Sequence, residues 1–106
     1  MNASAAALPF PERDEIRIEA VLHALADPVR LEMVRQLAEC DGEITCAGFD
    51  VPVSKSTLTH HLRTLREAGV IVGRSVGTTR LSRLRREDLD ALFPGLLDGV
   101  LAAPRR

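Results

Sequence analysis

The chain has 106 residues and a mass of 11.6 kDa, which is enough for one domain and too little for two. Hydrophobic residues make up 45% and charged residues 27%, proportions that exclude a disordered or fibrous chain. No run of eighteen apolar residues is present, so we expect no contact with a membrane. The first ten residues do not read as a secretory signal. We therefore expect a cytoplasmic protein with reduced cysteines.

The net charge of −1 conceals a strong asymmetry along the chain. Residues 1–53 hold four arginines against ten acidic residues, and residues 87–106 hold two arginines against four acidic residues. Residues 54–86 instead hold eight basic residues against the single acid Glu67, a charge of +7. This distribution favours a nucleic-acid partner, although a basic stretch alone is often only a solvated surface.

The N-terminal part predicts an arm and a first helix. Residues 1–11 are rich in Ala and Pro, so we expect a flexible arm, followed by a single domain over residues 12–106. Apolar residues recur at helical spacing from Ile16 to Leu25, and acidic residues precede them. The first helix is therefore predicted to begin near Glu12.

A second helix is predicted from Asp27-Pro28 to about Cys40, because Asp is a preferred N-cap and Pro suits the first helical turn. Its predicted apolar face consists of Leu31, Val34, Leu37 and Ala38. Asp41-Gly42 ends this helix. We expect a short strand at 43–45, and then a segment, 46–53, with room for at most one or two helical turns.

The third helix is the most informative part of the sequence. Ser54 is a suitable N-cap, and Gly69 is a suitable stop after Ala68. At a period of 3.6 residues, one face carries Leu58, His61, Leu62 and Leu65, and the opposite face carries Ser56, Thr59, His60 and Arg63. We expect His61 at the edge of the core and His60 in solvent.

The remaining chain predicts a β-hairpin and an apolar helical region. Residues 70–72 and 79–84 read as strands around a turn at Val76-Gly77. Apolar residues then continue at helical spacing from Leu89 to Leu101, with a break at Pro94-Gly95. The fold class is thus mostly α with a small β-hairpin, in the element order of a winged helix-turn-helix.

Two motifs carry a family resemblance. Residues 25–31 read Leu-Ala-Asp-Pro-Val-Arg-Leu, and residues 53–70 read Val-Ser-Lys-Ser-Thr-Leu-Thr-His-His-Leu-Arg-Thr-Leu-Arg-Glu-Ala-Gly-Val. With the hairpin that follows, they resemble the arsenic-repressor-like (ArsR/SmtB) transcriptional regulators over about residues 16–101. The resemblance implies a homodimeric winged helix-turn-helix repressor that binds double-stranded DNA at a pseudo-palindromic operator and is released by a chemical cue.

Candidate DNA contacts follow from the polar face of the third helix and from the hairpin. Such side chains can contact base edges and phosphates. The predicted contacts are Lys55, Ser56, Thr57, Thr59, His60, Arg63, Arg74 and Arg80.

The two ends of the domain hold more Leu, Ile and Val than a small core needs. We therefore predict a homodimer interface there, and in the resembling family the first and last helices of two subunits pack together. The predicted interface residues are Ile18, Leu22, Leu96, Leu97, Val100 and Leu101.

The resemblance does not extend to the metal sites of the family. Many members carry a Cys-x-Cys box where this chain has only Cys46, and others place His ligands on the last helix, where residues 86–106 contain none. We therefore expect no metal site and no cofactor. Cys40 and Cys46 have two interpretations: small hydrophobic residues that fill gaps, or thiols that respond to an oxidant or electrophile and so release DNA.

Other function classes are less favoured. The nucleophile, metal and phosphate-loop motifs of enzymes are missing, so we expect no catalytic activity. A winged helix can also serve as a protein-docking module, but that role predicts an acidic or apolar surface over residues 56–63 rather than a polar and basic one. RNA binding is disfavoured because the three Phe lie outside the basic segment and Trp and Tyr are absent.

Overall fold

The computed structural model describes residues 6–105. Within these residues, five α-helices and four strands follow one another, with a 3₁₀ turn before α1 and another after β2. Their bounds are β1 Ala6–Ala7, the turn Arg13–Glu15, α1 Ile18–Leu25, α2 Pro28–Cys40, β2 Glu43–Thr45, the turn Cys46–Gly48, α3 Lys55–Ala68, β3 Ile71–Val76, β4 Thr79–Leu84, α4 Arg86–Leu92 and α5 Leu96–Ala102.

The sheet is antiparallel, with the strand order β1-β3-β4-β2. The predicted hairpin β3–β4 forms its centre, with Gly73 opposite Ser82 and Val76 opposite Thr79. The predicted strand at 43–45 pairs with β4 and places Ile44 opposite Ser82. The fold class is therefore confirmed, and the sheet is wider than the hairpin alone.

The first helix begins at Ile18 rather than near Glu12. Glu12 instead starts a 3₁₀ turn, closed by the reciprocal capping of Glu12 and Glu15. Ile16 and Arg17 then take extended backbone angles, with ψ of 127° and 136°. Ile16 is buried next to Gly69, so packing at this position interrupts the helical pattern.

Part of the predicted flexible arm is paired in the sheet. Ala6 and Ala7 lie opposite Ser75 and Arg74, and the Leu8 N–H donates to the Gly73 carbonyl at 2.9 Å. A Cβ on Gly73 would lie 3.0 Å from Leu8 Cδ1, so the glycine gives Leu8 room to approach. Residues 6–8 thus differ from the prediction, and residues 1–5 of the predicted arm lie outside the described residues.

The predicted ends of α2 and α3 agree with the structure. The Asp27 carboxylate caps α2 by accepting from the Val29 and Arg30 N–H groups at 2.9 and 3.0 Å. The Ser54 hydroxyl caps α3 by accepting from the Thr57 N–H at 3.3 Å. Gly69, with a φ of +88°, ends α3 in the left-handed conformation that a glycine adopts at low cost.

The core is built from apolar residues of α1, α2, α3, β3, β4, α4 and α5. Met33, Leu37 and Leu65 are fully buried at its centre. On α2, Met33 is buried where Leu31 was predicted, and Leu31 and Ala38 are only half-buried. Within the described residues, none of the helices has the length and apolar character needed to cross a membrane.

Candidate nucleic-acid interface

Helix α3 presents one polar face to solvent and one apolar face to the core. All six candidate contacts on this helix are exposed: Lys55, Ser56, Thr57, Thr59, His60 and Arg63. Leu58, His61, Leu62 and Leu65 are buried on the other side. The predicted division of the helix is therefore confirmed, and the exposed face contains no acidic residue between Lys55 and Arg63.

The hydroxyl groups at the start of α3 are ordered by short local hydrogen bonds. The Ser54 hydroxyl lies 3.0 Å from Thr57 Oγ1 and 3.3 Å from Ser56 Oγ. Thr59 Oγ1 donates to the Lys55 carbonyl at 3.0 Å. These bonds leave acceptor lone pairs and the Thr59 methyl group available on the exposed face.

The adjacent histidines have different environments. His60 is exposed, whereas His61 is 9% exposed and its Nδ1 lies 3.3 Å from Arg30 Nη1. Arg30 Nε also donates to the Ala24 carbonyl at 2.7 Å at the end of α1. Arg30 therefore joins α1, α2 and α3, a positioning role that we did not predict although Arg30 lies within the Asp-Pro-Val-Arg motif.

Asp27 completes this contact between helices. Its Oδ2 lies 3.9 Å from His61 Nε2. The backbone hydrogen bond from Arg30, together with the charges of Arg30 and His61, lowers the pKa of the Asp27 carboxyl, while burial opposes this shift. The charge on Asp27 is thus held at the N-terminus of α2, where the helix dipole also favours it.

Arg74 and Arg80 of the hairpin, both predicted to contact DNA, differ in their partners. Arg80 is exposed and lies near the tip of the hairpin. Arg74 is held by Glu43, with both of its contacting nitrogens 2.7 Å from carboxylate oxygens. The pair lowers the pKa of Glu43 and raises the pKa of Arg74. Arg74 is therefore not the unpaired cation that the sequence suggested.

Two further basic residues of the 54–86 segment are also neutralised. The Arg85 side chain is 5% exposed, with Nη2 2.9 Å from Asp88 Oδ2, and its Nη1 donates to the Pro11 carbonyl at 2.7 Å. Arg86 pairs with Asp98 at 3.0 Å. The charge of +7 thus overstates the available positive charge. Among residues 6–105, the exposed basic residues of this segment that form no salt bridge are Lys55, Arg63, Arg80 and Arg83.

The predicted interface residues fall into three groups. Ile18 and Leu22 are 39% and 48% exposed on α1, which is unusual for large apolar side chains. Leu96, Val100 and Leu101 are half-buried against the core. The prediction for Leu97 is wrong, because this residue is 2% exposed and packs inside the core of its own chain.

Cys40 and Cys46 are both free thiols. Cys40 is exposed at the end of α2, and its thiol donates to the Leu37 carbonyl at 3.3 Å. Cys46 is half-buried against the core. Within residues 6–105, no three His, Cys, Asp or Glu side chains are grouped so that they could hold a metal ion.

Comparisons of the sequence and the fold with those of known proteins identify the family of this chain. A family model described as a helix-turn-helix domain matches residues 25–74. The Bacillus subtilis (strain 168) protein named "Uncharacterized HTH-type transcriptional regulator YceK" is 33% identical over 87 residues, which cover 80% of this chain and 86% of that protein. The chain belongs to the ArsR/SmtB-like family of helix-turn-helix transcriptional regulators.

Solved structures agree with membership of the ArsR/SmtB-like family. A crystal structure titled "Possible transcriptional regulator for arsenical resistance" is 34% identical and has a TM-score of 0.59 over 79% of this chain and 86% of that chain. An ArsR family regulator shares the fold at 23% identity, with a TM-score of 0.62 over 86% of this chain and 90% of that chain. As an ArsR/SmtB-like protein, this chain is a DNA-binding transcriptional regulator, which is a non-enzymatic function.

Proposed function

We propose that this chain is a homodimeric repressor that binds a pseudo-palindromic operator. One α3 helix of each subunit enters the major groove, and the hairpin contacts the neighbouring backbone through Arg80. The observation that carries this proposal is the exposed face of α3. Short polar side chains and two cations face solvent from a helix whose other face is fixed in the core.

The contacts divide by chemistry. Ser56, Thr59 and His60 carry donors and acceptors that suit base edges, and Arg63 suits a guanine or a phosphate. Lys55 and Thr57 lie in the first turn of α3, where N–H groups and the helix dipole favour a phosphate. The polar face of α3 therefore provides both specific and backbone contacts.

The homodimer is supported by the apolar surface of α1. Ile18 and Leu22 lie one helical turn apart and are exposed in a single chain. A twofold partner would cover them, with Val100 and Leu101 of α5 at the edge of the same interface. Two α3 helices would then be presented to two half-sites of one operator.

The test of the DNA contacts begins with an operator selected from a random duplex library by the full-length protein. His60→Ala and Arg63→Ala are each expected to weaken operator binding by about tenfold or more, since each removes a contact to DNA. Both residues are exposed, so thermal stability should change by no more than about 0.5 kcal/mol. Arg105→Gln, which removes a charge beside α2, is the control. Unchanged affinity in both α3 variants would contradict the proposal.

The salt dependence of affinity gives an independent test. Each Lys or Arg contact with a phosphate releases counterions, so the binding constant should fall steeply as salt increases. Preference for duplex DNA over RNA of the same sequence should persist throughout the titration. A binding constant that does not change with salt concentration would instead favour a protein-docking role.

The signal that releases the operator is proposed to act on the thiols. Cys40 is exposed at the end of α2, and Cys46 lies in the segment that leads to α3, so a modification of Cys46 could displace the start of α3. With peroxide, each thiol loses two electrons and forms a sulfenic acid, while peroxide is reduced to water. Peroxide should cause the wild-type protein to release the operator, whereas the Cys40→Ser, Cys46→Ser double variant should stay bound. Equal release of both proteins, or release by stoichiometric zinc, cadmium or arsenite, would contradict a thiol signal.

A further inference from the structure

A cavity of about 770 Å³ lies between the first turns of α3, the segment that precedes α3 and the tip of the hairpin. This volume falls within the range of small-molecule sites, roughly 300–1,000 Å³. Its apolar lining consists of Ala47, Phe49, Val51, Val53 and Leu58. Lys55 and Arg80 also line it, so the cavity combines apolar walls with positive charge.

A smaller crevice of about 60 Å³ adjoins this cavity, because Cys46, Thr59 and Arg80 line both. Three arginines meet in the crevice: Arg63, Arg66 and Arg80. Among residues 6–105, none of the three forms a salt bridge with an acidic side chain.

Arg66 is the most constrained of the three arginines. Its Nε is buried and has no hydrogen-bond partner among the described residues. Burial lowers the pKa of the Arg66 guanidinium, the charges of Arg80 and Arg63 lower it further, and the Glu67 carboxylate partly offsets them. A buried donor without a partner costs free energy. An anion in the crevice would pair with the guanidinium groups that line it and would reduce the repulsion among the three cations.

We propose that the cavity and the crevice together bind an amphipathic anion, a small molecule with an acidic head and an apolar body. The head lies in the crevice against Arg66, Arg63 and Arg80. The apolar body fills the cavity along Phe49, Val51 and Val53. The guanidinium groups select the negative charge, and the cavity selects the length of the apolar body.

The regulatory consequence rests on the proposed function. Arg63 and Arg80 are proposed DNA contacts, and both line the crevice. A bound anion takes up their hydrogen-bond donors and adds negative charge beside the DNA phosphates. The ligand and the operator therefore compete, so an amphipathic anion releases the operator.

The binding test uses the full-length protein without DNA and sodium decanoate below its micelle concentration. Calorimetry should show one decanoate per subunit, with 1-decanol at least about tenfold weaker and decyltrimethylammonium not bound. Arg66→Gln should lower the affinity for decanoate by about tenfold, because it removes the charged donor. Ala47→Trp should weaken decanoate binding by about tenfold or more, because an exposed alanine on the cavity wall is replaced by a bulky ring that takes up part of the space for the apolar body.

Matched controls separate the site from general effects. Arg105→Gln removes one positive charge, as Arg66→Gln does. Ala91→Trp adds an indole ring at an exposed position on α4, as Ala47→Trp does at the cavity. Both controls should bind decanoate like wild type. Circular dichroism checks that every variant is folded. If Arg66→Gln does not fold, Ala47→Trp alone tests the binding site. The proposal is overturned by equal binding in variants and controls, by absence of decanoate binding, or by inorganic phosphate binding as tightly as decanoate.

Fluorescence anisotropy with the selected operator then distinguishes the two proposals. Saturating decanoate should raise the apparent Kd of wild type for the operator by at least about tenfold, and Arg66→Gln should show a much smaller shift at the same concentration. A protein that binds the operator but is not released by bound decanoate would refute the regulatory inference alone. A protein that binds decanoate at this site but no DNA would refute the proposed function and leave the site in place.

Discussion

Arg74 and Glu43 form a two-point ion pair across the middle of the sheet. Arg74 Nε and Nη2 each lie 2.7 Å from one of the two Glu43 carboxylate oxygens. Glu43 is on β2 and Arg74 is on β3, and β4 runs between these strands. The pair therefore braces the two neighbours of β4, and it places a carboxylate in the sheet that carries the proposed hairpin contact with DNA.

Glu43→Gln is expected to strengthen DNA binding, because it removes this carboxylate and frees the Arg74 guanidinium. If Arg74 then contacts a phosphate, the slope of log K against log salt should steepen by about 1 per subunit. Anisotropy titrations of the selected operator at several salt concentrations measure this slope. Glu39→Gln, an exposed acid on α2, is the control. An unchanged slope would mean that Arg74 does not reach the DNA.

Leu22→Glu is expected to produce folded monomers. Leu22 is 48% exposed in one chain, so the charge should cost little stability in the monomer but should be buried without a partner in the dimer. Sedimentation velocity should show loss of the dimer, with operator affinity falling at the same time.

Two comparisons make the dimer test decisive. Leu97→Glu should unfold the chain rather than only separate subunits, since Leu97 is 2% exposed in the core. Ala91→Glu, at an exposed site on α4, should leave the dimer intact. Wild-type protein that sediments as a monomer at micromolar concentration would contradict the interface.

Asp88→Asn should lower the free energy of unfolding by about 2 kcal/mol at neutral pH, because it leaves the buried Arg85 guanidinium without its carboxylate. The hydrogen bonds from Arg13 and Arg85 lower the pKa of Asp88 in the folded protein, although burial opposes them. This stabilisation is therefore fully present above the ordinary Asp pKa of about 3.9 and is lost as the pH falls through the lower pKa of the folded state.

Urea unfolding at a series of pH values measures this effect. The difference between wild type and Asp88→Asn should be greatest near neutral pH and should shrink in acid. A difference that stays constant down to the acid limit of folding would show that the charge of Asp88 contributes nothing.

Gly69→Ala should destabilise the protein by about 3 kcal/mol. The φ of +88° is unfavourable for alanine, and the new Cβ would lie 2.5 Å from Ile16 Cγ1. Thermal or urea unfolding measures the loss. Gly42→Ala, whose new methyl group would make only an ordinary contact of 3.9 Å with the Cys40 carbonyl oxygen, should change stability by no more than about 0.5 kcal/mol. Equal effects would contradict a special role for Gly69.

Local signals were sufficient for most of the fold. Asp27-Pro28, Ser54 and Gly69 mark helix ends through bonds to their own neighbours, so these ends could be predicted without knowledge of the tertiary structure. The apolar spacing of α3 likewise predicted which side is buried, because apolar residues that recur every 3.6 positions lie on a single face of a helix.

Contacts between distant parts of the chain could not be predicted in this way. The apolar spacing around Leu97 fits a dimer helix and a core helix equally well, and only the packing of α5 decides between them. The counted charge of residues 54–86 was also misleading, since Glu43 and Asp88, which neutralise Arg74 and Arg85, lie outside that segment. The pairing of Ala6 and Ala7 depends on the edge of β3, which their own sequence does not encode.

The two short outer strands of the sheet bear on how the protein behaves at high concentration. β1 has two residues and β2 has three, and each covers an edge of the longer β3–β4 hairpin. Long uncovered edges invite another chain to add a strand, which leads to aggregation. Truncation that removes Ala6–Ala7 would uncover the outer edge of β3 next to Gly73. Expression variants shortened at the N-terminus should therefore be more prone to aggregate than the intact chain.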